Sequence, residues 1–95
     1  MMDTPETSFG GMDMLVKKKG VFTEEDALKV IEMASQKMEK EIIVMAYRVT
    51  DEAKRRLWDY QRAVTLMADL TGEERYVRVE ILEGYVSDKV KGIEL

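Results

Sequence analysis

The sequence contains no histidine and no cysteine, so any chemistry falls to carboxylates, lysines, arginines, hydroxyls and one tryptophan. That composition removes thiolate nucleophiles, disulfides, Cys/His zinc sites and a Ser-His-Asp triad. The acidic residues come in short runs: Glu24-Glu25-Asp26, Asp51-Glu52 and Glu73-Glu74. Paired carboxylates can share acid–base work or hold Mg²⁺. Two of these runs begin apparent helices, where the helix dipole accounts for them, and the third follows a helix stop. None falls at metal-ligand spacing on an apolar face. No catalytic or metal-ligating residue is assigned, and no cofactor is expected. A G-x-G-x-x-G or Gly-Lys-Ser/Thr phosphate loop is absent as well.

The basic residues offer a second chemistry. Lys54, Arg55 and Arg56 are consecutive, and Arg62 lies on the same helical face as Arg55 with Trp58 nearby. A face of this kind can track phosphates and stack a base, which makes Lys54, Arg55 and Arg62 the nucleic-acid candidates. The ordinary alternative is ion pairing at helical spacing, Glu52 with Arg55 and Arg56, and Asp59 with Arg55 and Arg62. Fifteen Lys+Arg against nineteen Asp+Glu, a net charge of -4, favours pairing over nucleic-acid binding.

These side chains need elements to carry them. Thr23, with Asp26 three residues on, is a capping-box start for a helix over 24 to about 39. Its apolar face reads Ala27, Leu28, Ile31, Ala34 and Met38, with Val30 and Met33 off that face. Residues 41–49, EIIVMAYRV, have the continuous apolar character of a strand buried on both faces. No Gly, Pro or Asn separates them from the first helix, and Leu28, Ile31, Met38, Ile42, Val49, Leu57 and Val64 hold one helical phase. A single long helix is therefore the alternative. Thr50-Asp51-Glu52 looks like a fresh helix start, and Gly72 like its left-handed stop.

Around this centre, Met14, Leu15 and Val16 suggest an edge strand, guarded by Lys17, Lys18 and Lys19 and ended by a turn at Gly20. Residues 75–82 alternate as a half-buried strand, and Glu83-Gly84 suggests a hairpin into a weaker returning strand. The expected fold is α+β: two helices packed on a small, mainly antiparallel sheet with a C-terminal β-hairpin. The alternative is a long helix or helical hairpin followed by a β-hairpin. Residues 1–11, with their Gly10-Gly11 pair, read as a flexible arm, and residues 12–95 as one domain.

The helix 51–70 carries one anomaly. Its core stripe reads Ala53, Leu57, Tyr60, Val64 and Met67, yet Leu66 lies on the opposite side, with Leu70 and Trp58 on different flanks. Apolar groups nearly all round a helix mark burial on more than one side. A 95-residue chain can hardly supply both covers, whereas a second subunit can. Trp58, Leu66 and Leu70 are thus the interface candidates.

The expected function is a non-catalytic, homo-oligomeric regulatory, accessory or structural module, whose partner is another copy of itself or a further protein. The alternatives are a small nucleic-acid-binding regulator, and an enzyme whose site forms between subunits. The N-terminal stretch lacks the positive start and apolar core of a secretory signal, and no run reaches the ~18–20 apolar residues of a membrane helix. A cytoplasmic protein with no membrane partner is expected. Absence of asparagine, with only Gln36 and Gln61 as glutamines, fits a heat-adapted source, although eight methionines fit it poorly.

Overall fold

The computed structural model describes residues 13–73, 75–84 and 86–95. The expected arm at 1–11 lies outside them. Strands and helices alternate: β1 Asp13–Phe22, α1 Glu24–Lys37, β2 Glu41–Val49, α2 Asp51–Thr71, β3 Arg78–Glu83 and the short β4 Ile93–Glu94. The four strands form one sheet in the order β3-β2-β1-β4, and every neighbouring pair is parallel. The fold is therefore α/β, which corrects both the mainly antiparallel sheet and the long-helix alternative. A helix between two strands returns the chain to the end where it began, so the strands it joins run the same way.

The expected hairpin is also absent. Gly84 turns with φ +90, and its N–H reaches Ala46 O and Tyr47 O, but the chain then leaves β3. It crosses to the far edge, where β4 pairs with β1 through Val16–Ile93 and Lys17–Glu94. Lys17 and Lys19 point away from the helix-covered face. Lys17 Nζ donates to Val90 O, and Lys19 Nζ lies 2.9 Å from Asp88. Residues 86–92 thus return across the sheet face opposite the helices. Gly92 is required there, since a Cβ would stand 2.8 Å from Leu15 O.

β1 is an inner strand rather than an edge. Its three lysines serve different partners: Lys18 turns to the helix side and pairs with Asp26, and Lys17 is only 7% exposed. Gly20 makes no chain reversal. It sits inside β1, where the register with β2 slips between Lys18 and Val21, as glycine in a strand often does.

The core lies between the sheet and the two helices. Met14, Val16, Ile42, Val44 and Ala46 from the strands meet Ala27, Val30 and Ala34 of α1 and Ala53 and Leu57 of α2. Val30 is fully buried, while Leu28 and Met38 are exposed, so the buried face of α1 is rotated from the one the sequence suggests. In α2 the buried stripe continues to Ala68, and Met67 is exposed.

The helix boundaries have local causes. Asp26 Oδ2 accepts the Thr23 N–H at 2.9 Å, and Thr50 Oγ1 accepts from Ala53 N at 3.1 Å. Gly72 ends α2 in the left-handed region at φ 78. α1 stops at Met38, which adopts φ 54 without being glycine.

Candidate functional site

The two ends of the sheet differ in how their polar groups are served. At the carboxyl ends of the strands, Glu83 Oε2 accepts the Val49 N–H at 2.9 Å, and Glu83 Oε1 lies 2.9 Å from Lys54 Nζ. The Val49 N–H, with Lys54 beside it, holds the Glu83 carboxyl below its ordinary range. Arg56 Nε reaches Glu24 Oε2 of α1 at 2.7 Å. Burial pushes the Asp26 carboxyl up, but hydrogen bonds from Lys18 and Thr23 outweigh it, and the group sits below its ordinary value of 3.8.

The nucleic-acid candidates lie near this end. Lys54, Arg55 and Arg62 line one shallow groove on α2 with Trp58, and Asp51 and Asp59 line it too. Lys54 is already engaged by Glu83. The expected intrahelical pairs do not form among the described residues, and Arg56 turns to α1 instead. Among the described residues Arg55 and Arg62 have no ion-pair partner, and neither does Glu52 or Asp59. Two free cations beside two aspartates leave the groove close to neutral, unlike a surface that follows phosphates.

Toward the amino ends of the strands the chain leaves more undone. Leu66 is 55% exposed and Leu70 80%, with Met67 beside them on the last turns of α2. Trp58 is exposed as well and lines the polar groove with Arg55 and Arg62. Tyr76, just past the helix, is also exposed.

Beside these turns lies a cleft of about 200 Å³, lined by Tyr60, Ala63, Val64, Met67 and Ala68 of α2, and by Glu73 and Arg75 of the loop that follows. The Tyr60 hydroxyl and Arg75 Nε and Nη2 are buried with no hydrogen-bond partner among the described residues. Glu39 Oε1, just before β2, is in the same condition. Sequence reasoning missed Arg75, which reads as the first residue of a strand, and placed Tyr60 in the core stripe. The available signal was an arginine between a helix stop and Val77, the next buried residue.

Among the described residues no cluster of carboxylates could hold a metal ion, and no helix is long and apolar enough to cross a membrane. No protein-family model, curated protein or solved structure matches this chain.

Proposed function

We propose that the chain is a non-catalytic, cytoplasmic interaction module that works as a homodimer, joined through the outward side of the C-terminal half of α2. The exposure of Leu66 and Leu70 carries this reading. Two neighbouring leucines in water at successive turns lose hydration cost when covered, on the order of 1.5–3 kcal/mol for each fully buried side chain.

Charge favours a second copy as the cover. Arg62 lies one turn before Leu66 and Asp69 nearly one turn after it, and both are exposed with no ion pair of their own among the described residues. When two α2 helices pack antiparallel about a two-fold axis near Leu66, Arg62 of each copy comes beside Asp69 of the other. Such a contact is self-complementary, as a two-fold interface must be. The nucleic-acid alternative draws no comparable support, because Asp51 and Asp59 offset the cations of its groove.

Sedimentation velocity tests the proposal. The wild-type chain is expected to sediment as a dimer at micromolar concentration, and Leu66→Asp as a folded monomer. Arg62→Asp should weaken the dimer, and adding Asp69→Arg should restore it. A wild-type monomer, a dimeric Leu66→Asp variant, or a charge swap that fails to rescue would each overturn the proposed interface.

A further inference from the structure

The cleft beside α2 combines a hydrocarbon lining with a cation that has no acceptor. Burying an arginine edge without a partner is costly, and native structures ordinarily satisfy such groups. Nε and Nη2 are the two nitrogens along one edge of a guanidinium. Their N–H bonds run parallel, at the spacing of the two oxygens of a carboxylate. These two Arg75 atoms are left without acceptors, as is the buried Tyr60 hydroxyl, and both residues contribute to the lining.

The remaining lining limits what can accompany that anion. Ala63, Val64, Met67 and Ala68 contribute apolar side chains. The other charge is Glu73, whose Oε1 accepts from the Thr71 hydroxyl at 3.2 Å. Its carboxylate disfavours a doubly charged guest such as a phosphate ester and leaves room for a single negative charge. For scale, an apolar cavity of roughly 150 Å³ holds benzene. The present cleft is somewhat larger, which suits a ring or branched chain of about six carbons with its acid group.

We propose that this cleft binds a small monocarboxylate with an apolar tail. Arg75 takes the two carboxylate oxygens on Nε and Nη2, Tyr60 donates a further hydrogen bond, and the tail rests on Ala63, Val64 and Met67. The site needs only one chain, so it stands whether or not α2 dimerises.

Phenylacetate, its neutral isostere phenylacetamide, and inorganic phosphate are the probes, added to the ¹⁵N-labelled full chain and followed by amide and Arg75 Hε shifts. Phenylacetate should produce saturable shifts at residues 60–68 and 75–77, with phenylacetamide at least about tenfold weaker and phosphate silent. Arg75→Lys keeps the charge but loses the fork, and should weaken binding about tenfold. Tyr60→Phe should weaken it a few-fold and serves if the arginine variant does not fold. No saturable shift up to about 20 mM acid, equal binding of acid and amide, or equal binding by Tyr60→Phe and wild type overturns the proposal. Protein is held at one concentration throughout, so that shifts from α2 dimerisation do not enter the titration.

Discussion

The two ends of the parallel sheet teach opposite lessons. Ligands of open α/β sheets ordinarily sit beyond the carboxyl ends of the strands. Here that end is lined by the chain's own pairs: Lys54 with Glu83, Arg56 with Glu24, Lys18 with Asp26, the Asp26 carboxylate on the Thr23 N–H, and the Thr50 cap of α2. At the other end, Leu66 and Leu70 face water and Arg75, Tyr60 and Glu39 carry buried atoms without partners. At the first end these pairs tie α2 to α1 and to β3. The second leaves buried donors unmet and leucines in water, and a surface that the chain does not complete by itself is where a second molecule gains most.

The contrast can be broken most forcefully within α2 itself. Leu57 is fully buried near the carboxyl ends, whereas Leu66 is more than half exposed. Leu57→Ala should cost about 2–5 kcal/mol of folding stability. Leu66→Ala should change the stability of the isolated chain by less than about 0.5 kcal/mol. Urea melts at low protein concentration measure both. A large loss at Leu66 under those conditions would mean that the chain itself buries this residue, and the division between the two ends would fail.

Acid should act selectively on the partnered end. The Asp26 carboxyl is depressed in the folded chain, so its contribution is complete above the ordinary carboxylate value and fades as pH falls through it toward the folded value. Stability measured from pH 6 downward should therefore decline less steeply for Asp26→Asn than for wild type, while that variant is already weaker near neutrality. Equal slopes would show that Lys18 and Thr23 do not hold the carboxyl as the hydrogen bonds imply.

Much of the local structure was legible in the residues. Thr23 and Thr50 mark the helix starts, Gly72 marks a stop, and the apolar run at 41–49 is a strand. The sheet's direction was not legible, because Glu83-Gly84 resembles a hairpin turn and the partner of the last strand lies some 75 residues away, at Val16 and Lys17. The triple lysine also misled, since an edge strand carries such residues to deter pairing, whereas here each lysine has an acceptor or carboxylate of its own. Leu66 and Leu70 could be placed off the core from helical phase alone. The cleft could not, because it needs the loop at 73–77 folded back beside α2, and sequence spacing carries no record of that approach.

The long-helix alternative fails at Met38, where α1 ends, and the same residue supplies the smallest expected effect. The chain reverses there with φ 54, in a region that suits glycine and strains a residue with a Cβ by roughly 1–2 kcal/mol. Met38 is mostly exposed, so little packing is lost on removing its side chain. Glycine relieves the strain but adds freedom to the unfolded chain, which returns about 0.5–1 kcal/mol of the gain. Met38→Gly should therefore stabilise the fold by about 0.5–1 kcal/mol and raise the melting temperature by a few degrees. The substitution is also informative about the unpartnered end, since it leaves Leu66, Leu70 and Arg75 in place. Dimer affinity and carboxylate binding should stay at wild-type levels while the melt shifts upward. A lower melting temperature would show that the methionine packs at this end, and that α1 is held there by more than its left-handed cap.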